Sequence, residues 1–463
     1  MFKFDIPVGC RHVLRLIENS GYDAYIVGGC VRDTLCYKEP NDWDICTSAM
    51  PAQVLAIMAK NGIKTSETGL QHGTVTIHFE NANYEVTTFR TDGEYTDNRR
   101  PDRVEFVGDI IEDLSRRDLT INAMAYSECS GIIDPWGGYT DLCEGIIRCV
   151  RNPDDRFRED ALRIMRALRF AATYGFKIEE KTAAAIHRNK ELLKNISAER
   201  IQSELTKMLC GEGTLDILLE YSDVMAVIIP ELKPCIGFDQ KNKYHIYNVY
   251  DHIAHAVDNF KGTDISVKMA LLLHDIGKPE CYTEDNNGGH FYAHGVVSHR
   301  LAKDVMERLR FDNKTEEEVL TLVLYHDAGI HPGIKSVKRW LNKIGPEMLN
   351  KLIYVKIADI GAHSDINQES RRNDCLSVKL LAKHILDSQQ CFTLKDLAIN
   401  GFNIIGLGLE PGPMVGKVLK HLLDMVLDGE IENDFHALMG EANKYLKRRK
   451  QNDNPELLME TTK

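Results

Sequence analysis

The stretch Ala24-Tyr25-Ile26-Val27-Gly28-Gly29-Cys30-Val31-Arg32-Asp33, followed by Asn41-Asp42-Trp43-Asp44-Ile45-Cys46, decides the fold. Ala24 to Val27 reads as a short apolar strand and Gly28-Gly29 as a turn. The residues behind the turn read as a short helix whose first N–H groups are free for phosphate. Arg32 adds a guanidinium suited to a bidentate phosphate clamp. A second strand is expected around Trp43 to Cys46. Residues i and i+2 of a strand share a face, so Asp42 and Asp44 should point the same way. Two such carboxylates repel unless a cation lies between them. Hard carboxylate oxygens suit Mg²⁺, which takes one or two of them plus substrate phosphates. Taken alone, Asp-x-Asp also reads as a solvated turn ahead of the helix near Pro51.

Working outward, Val8 to Ile17 is amphipathic, and Gly73–Phe79 and Tyr84–Arg90 have the β-branched and aromatic content of strands. Glu85 alternates outward from Val86 and is the candidate third carboxylate. Residues 1–150 therefore read as an α/β head. From Asp154 onward the pattern is helical to the end, with segments near 158–173, 180–193, 197–210 and 214–221. The expected class is α+β: a head (1–150), a helical neck (151–237), a His- and Asp-rich helical domain (238–365) and a helical C-terminal region (366–463).

Asp160, Arg163, Arg166 and Arg169 recur every third residue in an otherwise apolar helical pattern, which puts Asp160 and Arg163 on one face. A solvated salt-bridge ladder is the bland reading, worth only a few tenths of a kcal/mol per pair. The alternative is base recognition. Cytosine and adenine both present an amino donor beside a ring-nitrogen acceptor. A carboxylate and a guanidinium match that order and mismatch uracil and guanine.

These blocks resemble the tRNA nucleotidyltransferases and bacterial poly(A) polymerases of the polymerase-β-like superfamily. The resemblance rests on Gly28-Gly29-x-Val31-Arg32-Asp33, Asp42-x-Asp44, Arg116 to Met124, Arg156 to Phe170 and Ser197 to Glu204, in the family's order. It implies that Asp42 and Asp44 hold catalytic Mg²⁺. It also implies that Gly29, Arg32 and Arg117 contact the triphosphate, Asp118 and Asn122 the ribose, and Asp160 and Arg163 the base. The reaction implied is attack of an RNA 3′-hydroxyl on an α-phosphate, with pyrophosphate leaving. Thr68 to Val75 lacks the Gly-basic-basic-Phe signature of the polyadenylating branch. The stretch Arg90 to Pro101 resembles the loop of enzymes that add all of C, C and A. The implied partners are the tRNA 3′ end, CTP and ATP. A poly(A) polymerase or a partial CC- or A-adding enzyme is the neighbouring alternative.

His252, His274-Asp275 and Asp359 fall in the order H…HD…D, and Leu271 to Lys278 resembles the core of HD-type metal phosphohydrolases. Such a ligand set suits a divalent transition metal. His294 and His326 are candidates for a second metal position, while His290 and His299 read as bystanders. Fused HD domains imply a phosphatase or 2′,3′-cyclic phosphodiesterase acting on damaged RNA ends. From a different class, the chain would be chiefly such a hydrolase with an RNA-gripping front half. Farther on, Asn400 to Gly416 is a Gly/Pro-rich turn ahead of a helix from Lys417 to Leu427. That helix N-terminus and the basic cluster Lys444 to Lys450 are candidate RNA-phosphate contacts.

At 463 residues the chain is too long for one core and should hold two to four domains. No apolar run approaches the ~18 residues of a membrane span. Without a secretion-signal pattern at Met1, a cytoplasmic location is expected. The 12 cysteines are scattered with no C-x-x-C pair, which suits reduced, buried thiols. A net charge of −12 argues against a protein that coats nucleic acid indiscriminately, though local basic patches still contact phosphate.

Overall fold

The computed structural model describes residues 4–93, 104–286 and 288–453. The head is built on a seven-stranded mixed sheet in the order β3-β4-β5-β2-β1-β8-β9. Its strands are β1 (Ala24–Val27), β2 (Asp44–Thr47), β3 (Lys64–Gly69), β4 (Thr74–Phe79), β5 (Ala82–Thr88), β8 (Ala125–Ser127) and β9 (Gly131–Ile133). A separate ribbon pairs β6 (Arg90–Asp92) with β7 (Val104–Phe106). Most of the stretch singled out between Arg90 and Pro101 lies outside the described residues. Within the sheet, β2 and β5 run parallel and every other pair is antiparallel.

Alternation along the strands sorts side chains to two faces. Ile26, Ile45 and Val86 join Val13, Leu14, Val54 and Met58 of the helices Val8–Glu18 and Pro51–Lys60 in the main core. Val27, Cys46 and Phe89 face the other way, against Ile110 and Leu114 of the helix Ile110–Ser115. That second face is only partly covered, and it carries the site.

Past β9 the described residues are helical, with two exceptions that the sequence pattern did not disclose. Ile146–Ile147 pairs with Lys177–Ile178, and Tyr282–Asp285 forms a hairpin with Gly288–Phe291. Both are too short for a period-2 signal. The expected helix over 158–173 is also broken. One helix spans Pro153–Glu159 and the next Leu162–Tyr174, with Asp160 extended at φ −133°, ψ 104° between them. The Asp160 carboxylate accepts from Leu162 N at 3.0 Å, so an Asp side chain caps the new helix instead of continuing the old one. A long helical segment, Ile334–Gly361, bends at Gly345 (φ +80°) beside Pro346. Separate apolar clusters hold 337–385 and 391–442. The helix expected from Lys417 starts earlier, at Pro413, whose missing N–H costs nothing in a first turn.

Candidate functional sites

The first site gathers on the open face of the head sheet. Asp44 opens β2 and sits in register with Glu85 on parallel β5, so their side chains emerge next to one another. Asp42 is exposed and lies outside the strand, in irregular chain ahead of it, so the strand is shorter than expected at that end. Burial, then the Asp42 charge, pushes the Asp44 carboxyl up to about 6, with Arg117 opposing and Glu85 adding. Three carboxylates gathered at one place repel one another, a repulsion that a bound cation would relieve.

Gly28 carries φ +75° and ends its strand directly in front of the helix Gly29–Leu35. The positive φ favours glycine, and a Cβ there would fall 2.7 Å from Arg117 Nη1 and push the guanidinium packed over it aside. Arg117 donates to Asn122 O at 3.5 Å and lies 3.4 Å from Asp113 Oδ2. Arg32 is buried, donates to Asp33 at 2.9 Å and to Asn122 Oδ1, and lies against the rings of Phe170 and Tyr174. Asp118 accepts from Asn122 Nδ2 at 3.1 Å and from Arg166 Nε at 2.6 Å. Burial alone would raise its pKa; the Arg166 charge and these hydrogen bonds overcome it and hold the carboxyl well below the usual range. Gly29, Arg32, Arg117, Asp118, Asn122 and Arg166 thus form one connected floor under the carboxylates.

Sequence spacing suggested an Asp160–Arg163 pair, and the structure corrects this. The helix break turns the Asp160 carboxylate to Arg200 Nη2, at 2.9 Å. Arg163 instead donates to Glu159 at 2.6 Å and to Arg116 O at 2.9 Å. Arg169 pairs with Glu204 at 2.7 Å. Each group of the stripe is therefore held by a partner from outside it.

The second site lies within the helical region. His252, His274 and Asp359 converge, as do Asp275, His294 and His326. His252, His274, Asp275 and His326 are almost fully buried, and Asp359 nearly so. Every one of the four rings turns Nδ1 to a backbone carbonyl: His252 to Ala362 (3.2 Å), His274 to Leu271 (2.7 Å), His294 to Phe291 (2.8 Å) and His326 to Val323 (2.7 Å). These bonds place the proton on Nδ1 and leave Nε2 as a lone pair. Yet the Nε2 atoms of His252 and His274 face each other at 3.3 Å, and those of His294 and His326 at 3.0 Å. Facing lone pairs are tolerable only with a proton or a metal ion between them. Asp275 joins the two groups, its Oδ1 lying 3.3 Å from His294 Nε2 and its Oδ2 3.2 Å from His274 Nε2. Among the described residues no donor meets Asp275 Oδ2 with hydrogen-bond geometry, although Lys278 Nζ lies 2.6 Å away. A cavity of about 480 Å³ opens onto this centre.

Comparison with known proteins places the whole chain. Residues 24–148 match the Poly A polymerase head domain, 175–236 the RNA and SrmB-binding site of polymerase A, and 291–442 the tRNA nucleotidyltransferase domain 2. A CCA-adding enzyme of Pediococcus pentosaceus is 36% identical over 444 residues, covering 94% of this chain and 98% of that protein. The chain belongs to the CCA-adding enzymes. It is a nucleotidyltransferase, as its polymerase-type head requires. A second CCA-adding enzyme, from Ligilactobacillus salivarius, is 34% identical over 446 residues, covering 96% of this chain and 97% of that one. The crystal structure of the Bacillus stearothermophilus CCA-adding enzyme in complex with CTP superposes with a TM-score of 0.72 at 29% identity. It covers 95% of this chain and 98% of that one. The Thermotoga maritima CCA-adding enzyme complexed with tRNA shares the fold, with a TM-score of 0.58 at 20% identity over 94% of either chain.

Several residues of this CCA-adding-family site escaped sequence reasoning. Asp113 is fully buried, lies 2.7 Å from Arg116 and 3.4 Å from Arg117, and so fixes the arginine packed over Gly28. Its spacing of three and four residues from those arginines was the available signal. Arg200 and Glu204, by contrast, reach the stripe from a distant helix, Ala198–Leu209, with nothing in spacing to betray it. At the histidine centre, His245 and His363 stand beside His252 as a third group. Of the expected bystanders, His290 lies 2.9 Å from Asp285 at the cavity edge, and His299 lines a different hollow. In the C-terminal basic cluster, Lys444 pairs with Glu441 at 3.2 Å and Arg449 contacts Met414.

Proposed function

We propose that this protein rebuilds the 3′ end of tRNA, adding C, C and A from CTP and ATP without a nucleic acid template. The observation that carries the reading is the carboxylate face of Asp42, Asp44 and Glu85 set directly beside the Gly28 turn and its arginine floor. Asp42 and Asp44, with Glu85 alongside, fit Mg²⁺: their oxygens are hard, and the raised Asp44 carboxyl marks uncompensated negative charge. Bound there, Mg²⁺ supplies charge neutralisation for the attacking and leaving oxygens.

The chain's own residues do the positioning. Gly29 N–H and the Arg32 and Arg117 guanidiniums face the triphosphate, while Asp118 and Asn122 hold the ribose. Asp160 and Arg163 read the base edge once the nucleotide draws them from Arg200 and Glu159. In this division, 1–150 catalyses, 151–237 reads the base, 238–365 carries the histidine centre, and 366–463 binds RNA with Lys444 to Lys450. No helix among the described residues is long and apolar enough to cross a membrane. A cytoplasmic location suits a tRNA-processing role. The test offers tRNA transcripts ending before CCA, with each labelled NTP singly and in mixtures. Ordered incorporation of C, C, A is expected; A-runs would instead make it a poly(A) polymerase.

A second reading is favoured by the facing Nε2 lone pairs. His252, His274, Asp275 and Asp359, with His294 and His326 across Asp275, fit a divalent transition metal pair. Bound there, the metals would activate water for hydrolysis of a phosphoester, as in HD-type phosphohydrolases. The test is metal content together with turnover of a 2′,3′-cyclic nucleotide in Mn²⁺, Co²⁺ or Ni²⁺.

A further inference from the structure

Behind the histidine centre lies a second cavity, of about 300 Å³, lined by Tyr244, His245, His363, Ile366, Asn367 and Arg371. His245 and His363 also line the cavity of the metal centre. Their ring centroids are 4.5 Å apart, so the partition between the hollows is one pair of imidazoles thick.

The far hollow has the chemistry of an anionic, aromatic ligand. Arg371 makes no ion pair among the described residues, whereas Arg166, Arg169 and Arg200 are each matched to a carboxylate. Tyr244 and Ile366 leave 41% and 42% of their surfaces exposed, giving the hollow a flat apolar rim. Tyr244 O accepts from Ser364 N at 2.9 Å, which ties this rim to the segment carrying His363. His363 donates through Nδ1 to Asp359 O at 3.0 Å. Its Nε2 is therefore a lone pair, able to accept from a hydroxyl. His245 Nδ1 is buried with no hydrogen-bond partner. In the lining of the cavity at the metal centre Tyr292, 73% exposed, stacks on His290 with ring centroids 5.4 Å apart and planes at 12°.

We propose that the far hollow is a subsite for the nucleotide adjoining the one whose phosphate the metal centre takes. The substrate of the centre is then an RNA end of at least two nucleotides, not a free mononucleotide. Arg371 grips the intact phosphodiester through its fork. Tyr244 supplies a face on which a base stacks, and His363 Nε2 accepts from a ribose 2′-hydroxyl, which DNA lacks. This rests on the hydrolytic reading of the histidine centre. In the reaction concerned, a water oxygen bonds to the phosphorus of a 2′,3′-cyclic phosphate. One ribose oxygen leaves with a proton, and a phosphomonoester remains.

The experiment compares adenosine 2′,3′-cyclic phosphate with the dinucleotide ApA ending in the same cyclic phosphate, using the full-length protein loaded with Co²⁺. Turnover is followed for both, and the visible Co²⁺ spectrum reports binding of the slowly hydrolysed phosphorothioate of each. The dinucleotide should show at least a tenfold advantage in kcat/KM, carried by KM, and a matching advantage in spectral Kd. Arg371→Ala should bring the dinucleotide down to the mononucleotide's level with the metal content unchanged. Arg371→Lys should restore only part of it. Equal handling of mono- and dinucleotide, or a dinucleotide advantage that survives Arg371→Ala, would overturn the subsite while leaving the hydrolytic reading intact. Absence of turnover with either compound in all three metals would overturn the hydrolytic reading, and the substrate proposed here with it.

Discussion

Asp44 and Glu85 stand side by side, paired in register on parallel strands that are distant in sequence. The pairing puts both carboxylates on the face shared by Cys46 and Phe89, where no other layer fully covers the sheet. Like charges there cost stability unless a cation joins them, so this relationship is a functional expense rather than a structural aid. Asp44→Asn should cut nucleotide incorporation by more than about a hundredfold, because it removes a metal ligand without changing shape. Glu85→Gln should act in the same direction less severely. Both variants should melt no lower than the parent protein. Incorporation in Mg²⁺ and circular-dichroism melting check this; an Asp44→Asn protein that keeps near-parental incorporation sinks the metal assignment.

The raised Asp44 carboxyl also sets a pH dependence. In the metal-free fold its pKa is about 6, against 3.8 for the ordinary group, because of burial and the Asp42 charge. The native state thus holds a proton that the unfolded chain has already lost between those values. Metal-free stability should therefore fall as pH rises through that window, and Mg²⁺ should reverse the trend by replacing the proton. Incorporation should correspondingly fall as pH drops below about 6 and recover at higher Mg²⁺. Melting curves with EDTA and with Mg²⁺ from pH 4 to 8, roughly spanning the window, read out both signs.

Asp113 offers a test of positioning rather than chemistry. Buried against Arg116 and Arg117, its carboxylate is held below its ordinary pKa: burial opposes ionisation, and the two guanidiniums outweigh it. Asp113→Asn leaves the arginine charges without their partner, a change that costs about 3 kcal/mol in comparable buried pairs. With Arg117 released from its seat beside Gly28, KM for NTP should rise more than kcat falls. Steady-state kinetics together with chemical denaturation distinguish this from a loss of catalytic groups.

What the sequence disclosed follows from the range of the signals. Val8–Glu18, β1 and the strands carrying Glu85 announce themselves through local periodicity, and the Gly28 turn through its need for positive φ. The six side chains that gather at the histidine centre were legible as candidates, from the H…HD…D order and the histidines that follow its HD pair. The break at Asp160 was not. Its cause is a side-chain cap that competes with helix continuation, and the apolar pattern passes through it undisturbed. Nor could spacing reveal Arg200 or His363, which reach their sites only through tertiary folding.

The histidine centre predicts its own response to metal. In the metal-free protein the His274 imidazole is raised to about 10: burial opposes this, but Asp275 and Asp359 prevail. Adding Mn²⁺ or Co²⁺ should raise the melting temperature and release protons, measurable in weakly buffered solution. His274→Ala or Asp275→Ala should remove both responses while leaving nucleotide addition nearly unchanged. Loss of addition in a folded variant would show that the two sites are one functional unit.

Base choice gives the sharpest test, and the observed pairing changes how it must be built. Suppose that Asp160 accepts from the amino group of C or A while Arg163 donates to the ring nitrogen. Exchanging them, Asp160→Arg with Arg163→Asp, then reverses donor and acceptor and suits uracil or guanine. In the resting fold, however, Asp160 is held by Arg200 at 2.9 Å and Arg163 by Glu159 at 2.6 Å. The exchange alone would set Arg against Arg200 and Asp against Glu159, two like-charge contacts that disorder the reader. Adding Arg200→Glu and Glu159→Gln relieves both. A mismatched base leaves buried polar groups unpaired at ~1–3 kcal/mol each, so two such groups amount to roughly a hundredfold change in preference. The fourfold variant should lose CTP and ATP use and gain measurable UTP or GTP use, whereas Arg200→Ala alone should blur selectivity without reversing it. Single-nucleotide incorporation on tRNA lacking CCA, with all four NTPs compared, decides the matter. An unchanged preference for CTP and ATP in a folded fourfold variant would reduce Asp160 and Arg163 to structural ion pairs of the neck.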